Sequence, residues 1–243
     1  MEAIAANGAA LADAAERAGL DAAVPTCPGW TVRDLLGHQG GVHRWATSYV
    51  ADADTSAPAK GFTLAEPPGD GEIVGWFRDG CSSLVAALRE ARDDMTCWTF
   101  LPAPFPRAFW ARRQAHETAI HRVDAESAAG TQVGFDPAFA VDGIDELILG
   151  FYARPRGRLL ADPAITLGID ATDGGADAAW TITVGPQSRE TTRGKAHGDC
   201  VLSGPASDLY QLMWNRRGTD GLDVSGDESV LDVWRTKAAV TWS

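Results

Sequence analysis

Glu117 and His121 stand four residues apart in Trp110-Ala111-Arg112-Arg113-Gln114-Ala115-His116-Glu117-Thr118-Ala119-Ile120-His121-Arg122-Val123-Asp124. The stretch holds no Gly or Pro and many good helix formers, so it reads as helix. On a helix that spacing puts the two side chains one turn apart, about 40° from each other around the axis. A carboxylate and an imidazole so placed can grip one divalent metal from one side, and the site then needs at least one more ligand. Trp110, Gln114 and Asp124 fall near the same line. The zinc-protease pattern H-E-x-x-H is excluded by spacing. His116 and His121 are five apart, about 140° around a helix, and cannot both reach one ion.

A further ligand has two candidates on a second helix. Thr31 is the expected N-cap, with Asp34 closing a short capping box, and the helix runs from there to about Val50. It carries His38 and His43, again five apart and on different sides. His38 shares its edge with Val42, Trp45 and Tyr49; His43 shares its edge with Val32, Leu36 and Val50. Helical angle alone does not separate them, and a hydrogen-bonded core histidine accounts equally well for either. The four cysteines, Cys27, Cys81, Cys97 and Cys200, form no C-x-x-C pair, so neither a zinc knuckle nor a thioredoxin-like site is expected. Scattered single cysteines fit a reducing compartment. Cys27, in the tight turn Pro25-Thr26-Cys27-Pro28-Gly29-Trp30, is a conceivable nucleophile.

The elements that must position these residues follow from periodicity. Residues 2–18 read as a first helix ended near Gly19, and Glu72 to Arg92 as a third, with Ile73, Trp76, Phe77, Leu84, Val85 and Leu88 inward. The segment from Pro137 to Ala153 reads as a further helix. After Arg158 the pattern changes to strands at 165–169, 180–184, 200–202 and 222–224, with short helices at 206–214 and 229–236. Helices first and mixed elements afterwards predict two domains, 1–157 and 158–243, joined near 155–162.

Composition excludes several classes. Hydrophobic content of 45% with nine Trp supplies a buried core, and a net charge of −12 argues against an electrostatic nucleic-acid or anionic-membrane binder. The apolar runs fall short of a membrane span and no charged-then-apolar leader opens the chain, so a soluble cytoplasmic protein, monomeric or a small homo-oligomer, is expected.

Three segments carry a family resemblance: T-C-P-G-W-T-V-R-D-L-L-G-H-Q-G-G-V-H-R-W (26–45), A-H-E-T-A-I-H-R-V-D-A (115–125) and G-P-A-S-D-L-Y-Q-L-M-W-N-R-R (204–217) with G-D at 226–227. They resemble the mycothiol-dependent maleylpyruvate isomerase family. The resemblance implies an N-terminal DinB-like four-helix bundle and a smaller C-terminal α+β domain similar to sterol-carrier folds. It places the metal ligands on His38, Glu117 and His121, with zinc or another divalent metal as the ion and mycothiol as thiol cosubstrate. It also places a catalytic Arg at Arg216. The sequence departs from the family there, since Asn215 stands where Gly is commoner and Arg217 repeats the charge, so either Arg can face the cleft. Asp124 is expected either to support His121 or to be a solvated charge.

Two histidines and one carboxylate are a catalytic zinc set, which lowers the pKa of a ligating water or thiol. The resemblance selects the thiol, added to an electrophile: cis–trans isomerisation of maleylpyruvate if the thiol is then expelled, S-transfer to a small electrophile if it is not. A non-catalytic metal-braced ligand-binding protein is the alternative of another class, and a fourth protein ligand, Asp124 or His43, would favour it. Net charge leans toward a neutral electrophile, because an anion must be held by local Arg residues among Arg112, Arg113, Arg122, Arg216 and Arg217.

Overall fold

The computed structural model describes residues 1–58, 63–154 and 158–238. Two compact units divide the chain, Met1–Val133 and Gly134–Ser243. The first is built from α1 (Glu2–Ala18), α2 (Val32–Ala51), α3 (Ile73–Glu90) and α4 (Pro106–Ala128). In its core Leu11, Leu35, Leu36, Ile73 and Phe77 are fully buried in one cluster, the last two from the stripe expected on the third helix. Each such side chain contributes about 1.5–3 kcal/mol on leaving water.

Local chemistry sets the helix ends. Thr31 and Asp34 form the predicted capping box, with Thr31 N–H donating to Asp34 Oδ2 at 2.8 Å. That backbone bond holds the Asp34 carboxyl below its usual range. Pro106 opens α4, where a missing N–H costs nothing. Gly19, just past α1, takes φ +84°. Helices α2 and α3 approach closely at Gly40, where a Cβ would lie 2.3 Å from the Trp76 ring. Arg44 lies 3.9 Å above that ring and donates to Gly40 O and Trp76 O, clasping the pair.

Helix α4 packs against α1 and α2, and much of what it buries is polar. Arg113, Gln114, His116, Glu117, Thr118, His121, Asp124 and Glu126 are all buried there. Burying so many polar groups is tolerable only if they satisfy one another.

The second unit opens with α5 (Pro137–Asp145), which runs into a π-helical segment, Glu146–Phe151. Five strands follow, β1 (Ile165–Ala171), β2 (Ala179–Val184), β3 (Arg189–Arg193), β4 (Cys200–Gly204) and β5 (Asp223–Gly226), in the order β3-β2-β1-β4-β5. Only the β1–β4 pairing is parallel, and Ile169 lies between Trp180 and Leu202 in the sheet centre. Helices α6 (Ala206–Met213) and α7 (Ser229–Lys237) complete the unit.

Helices first and an α+β portion second is the fold class expected. Two details differ. The unit boundary falls at Val133/Gly134, ahead of the junction expected at 155–162, because α5 packs on α6 of the second unit. Phe135 and Phe139 meet Tyr210 edge to face at 5.4 and 6.2 Å. The helical pattern of 137–153 shows an apolar stripe but not which partner covers it. Strand β3 is the other difference: Arg-Glu-Thr-Thr-Arg is a polar edge strand with no alternation, so periodicity gives no sign of it.

Candidate metal centre

Glu117 and His121, one turn apart on α4, face His38 on α2. The three offer ligand atoms that all lie within 4.8 Å of one another. Glu117 Oε1 is 3.4 Å from His121 Nε2 and 3.8 Å from His38 Nε2. Glu117 and His121 are buried, while His38 is half-buried and lines a cleft of about 590 Å³ with Trp30, Arg33, Gly37, Leu64 and Pro67.

His43 is fully buried elsewhere on α2, its Nε2 at 2.9 Å from both Gln39 Nε2 and Thr118 Oγ1. Burial drives its pKa down to about 3, so the ring is neutral. It is the hydrogen-bonded core histidine, and His38 is the one brought to the Glu117/His121 pair. His116 is buried and stands outside the cluster, as its spacing requires.

Charge on Glu117 is maintained by Arg113, one of the Arg residues named above as able to hold an anion; it is almost completely buried and its charge faces Glu117 instead. Arg113 Nη2 donates to Glu117 Oε2 at 2.7 Å, leaving Oε1 toward the imidazoles. Burial pushes the Glu117 carboxyl up, but Arg113 and the two histidines outweigh it and hold the group well below the usual range. The i,i+4 spacing of Arg113 and Glu117 was a signal available in the sequence.

Asp124 is not solvated. It is fully buried one turn beyond His121, with Oδ2 2.8 Å from His121 Nδ1. Thr26 Oγ1 donates to its Oδ1 at 2.6 Å and Cys27 Sγ to Oδ2 at 3.3 Å. Burial lowers the His121 pKa, yet Asp124 and Glu117 together lift it to about 8. The metal-free ring is therefore protonated at neutral pH, and an ion must displace that proton. Trp30 packs 5.1 Å from the His38 ring and lies nearly parallel to His121, 6.4 Å away with 12° between planes. Neither Thr26 nor Trp30 was singled out from sequence, since a turn carries no periodic signal.

Of the two possible fourth ligands, Asp124 engages its oxygens with His121 Nδ1, Thr26 and Cys27, and His43 engages Nε2 with Gln39 and Thr118; neither belongs to the cluster of converging ligand atoms. Among the described residues the site offers three protein ligands, two imidazole nitrogens and a carboxylate oxygen. That donor set suits zinc and related divalent ions.

In the second unit, Asn215 takes φ +58°, the left-handed region that glycine favours and Asn tolerates, which explains its place before Arg216. Arg216 Nη1 donates to Trp214 O at 2.9 Å, and its charge is felt by the buried Tyr152 hydroxyl. Arg217 is tied to Asp208 and to Asp220 O.

Among the described residues no helix is long and apolar enough to cross a membrane. No curated relative matches the chain. The crystal structure of the mycothiol-dependent maleylpyruvate isomerase is similar, with a TM-score of 0.58 at 13% identity, covering 92% of this chain and 90% of that one. A histidine-to-alanine mutant of that enzyme matches with a TM-score of 0.57 at 14% identity, covering 92% of each chain. The model of the mycothiol maleylpyruvate isomerase N-terminal domain matches residues 1–126, and that of the family's C-terminal domain matches residues 138–232. With both domains present in order, and with the first spanning the helices that bring His38, Glu117 and His121 together, the chain belongs to the mycothiol maleylpyruvate isomerase family.

Proposed function

We propose that this chain is a mycothiol-dependent metalloenzyme that isomerises maleylpyruvate or a similar cis-unsaturated acid, with zinc or another divalent metal held by His38, Glu117 and His121. The observation that carries this is the convergence of three ligand atoms within 4.8 Å, from two helices, beside a cleft that His38 lines. When bound, such an ion supplies a Lewis acid that lowers the pKa of a ligating thiol, giving thiolate, the attacking form of sulfur, at neutral pH.

The chain's own residues prepare that chemistry. Arg113 keeps Glu117 ionised and fixes its outer oxygen. Asp124 holds a proton on His121 Nδ1, so that Nε2 can present its lone pair. Trp30 covers both imidazole rings on one side. In the isomerisation, the thiolate sulfur adds to one carbon of the cis double bond as its π pair moves onto the conjugated carbonyl as an enolate. The resulting C–C single bond rotates, and return of that pair re-forms the double bond in the trans form and expels the thiolate. Arg216 is the residue proposed to clamp a substrate carboxylate in this step.

Net charge of −12 favours a second reading, S-transfer of the thiol to a neutral electrophile, because the protein repels small dianions at long range. The two share the first C–S bond and differ in whether it is broken again. The test is zinc content and thiol-dependent turnover of the purified chain with maleylpyruvate and a panel of neutral electrophiles. His38→Ala, Glu117→Ala and His121→Ala are expected to lose metal and turnover together. Full thiol-dependent turnover by a metal-free triple variant would sink both readings.

A further inference from the structure

The turn ahead of α2 is cross-linked by its own backbone. Cys27 N–H donates to Val24 O at 3.0 Å, Trp30 N–H to Cys27 O at 3.0 Å, and Val24 N–H to Trp30 O at 2.9 Å. Gly29 supplies the φ of +87° that the bend requires. A loop tied in this way holds its side chains in fixed directions.

Two of those side chains reach the carboxylate behind His121. The Thr26 hydroxyl makes a short bond to Asp124 Oδ1, 2.6 Å, and the Cys27 thiol a longer one to Oδ2, 3.3 Å. The same Oδ2 is 2.8 Å from His121 Nδ1. Asp124 is fully buried, so no solvent competes for these bonds. A carboxylate gripped at both oxygens cannot rotate, and neither then can the imidazole bound to it. An O–H···O⁻ bond of this length is charge-assisted and strong, whereas a thiol is a weak donor. Thr26 therefore carries the larger share.

We infer that Thr26 and Cys27 are positioning residues of the metal centre, which act through Asp124 to set where His121 Nε2 points. The inference rests on the metal-centre reading proposed above. The turn also presents Trp30 to both imidazole rings and leads into Thr31, the cap of the helix that carries His38. One turn thus registers the ligand of α2 against those of α4. Helix α4 alone would leave the Asp124 side chain free to choose its rotamer.

The experiment is the zinc affinity of the purified full chain, by competition with a chelator, for Thr26→Val, Thr26→Ser and Cys27→Ala. Cobalt(II) absorption spectra and the Tm of the metal-free protein are read alongside. Thr26→Val is expected to bind zinc about tenfold more weakly, the low end for removal of partners that orient a metal ligand, and Cys27→Ala about threefold, below that range because a thiol is the weaker donor. Thr26→Ser, which restores the hydroxyl, returns to within about twofold of the parent. The cobalt bands of Thr26→Val shift because the His121 ring turns. A purely structural role would lower the metal-free Tm while leaving affinity and spectrum unchanged, and that outcome overturns the inference. If Thr26→Val does not fold, parental affinity and spectrum in Cys27→Ala overturn it as well. His38→Ala separates the two claims. Parental zinc binding in that variant refutes the metal centre itself, whereas loss of zinc there with full binding in Thr26→Val refutes only the positioning role.

Discussion

Replacing Arg113 with Met keeps most of the apolar stem and removes the charge that sits on Glu117. The pair is 2.7 Å apart and the two side chains are 1% and 7% exposed, so water screens it little. Taking about 4 Å between charge centres and an effective dielectric near 20, the attraction is about 4 kcal/mol. Breaking one partner out of a buried pair costs about 3–5 kcal/mol, in agreement. The metal-free Arg113→Met protein is therefore predicted to lose about that much stability, a fall in Tm of roughly 10 °C if each kcal/mol shifts the transition about 3 °C. Zinc at the proposed centre would supply a replacement cation for Glu117, so it should raise the Tm of the variant more than that of the parent. The assay is thermal unfolding of both proteins with and without zinc, together with Glu117→Gln and the double variant. The cycle should return a coupling of at least about 2 kcal/mol between the two sites. A loss below about 1 kcal/mol, the size of an exposed pair, with no extra response to zinc, would refute the claim that Arg113 is the buried counter-charge.

Two further predictions concern pH and packing. His121 has its pKa raised to about 8, above the ordinary 6.5, so the stability it contributes to the metal-free protein is complete below about pH 6.5 and is lost as pH rises through 8. Zinc binding tightens over that same window as the proton leaves, and calorimetry in buffers of different ionisation enthalpy should detect proton release; an affinity flat from pH 6 to 8.5 would contradict this. Gly40→Ala places a Cβ 2.3 Å from the Trp76 ring and should cost about 1–3 kcal/mol by prying α2 from α3, measured by denaturant unfolding, whereas an unchanged midpoint would show that the ring moves freely.

Much of this was legible in the chain itself, because it depends on short-range periodicity. The spacing of Glu117 and His121 fixes them on one face of α4 wherever that helix lies, and it rules out His116 for the same reason. The Thr31/Asp34 box and the stripe of α3 are equally local. What required tertiary structure was every choice between partners. His38 and His43 are indistinguishable by helical angle, and only the packing of α2 on α4 sends His43 to Thr118 and His38 to Glu117. Whether Asp124 supports His121 or is a solvated charge, and where the Arg113 charge lies, are decided by the burial of much of α4, polar side chains included. Thr26 and Cys27, distant in sequence from Asp124, meet it because a backbone-tied turn folds over the end of the bundle. The assignment of α5 to the second unit belongs to the same class. An amphipathic helix declares that one face will be covered, but its covering partner is decided by long-range contacts that no local pattern encodes.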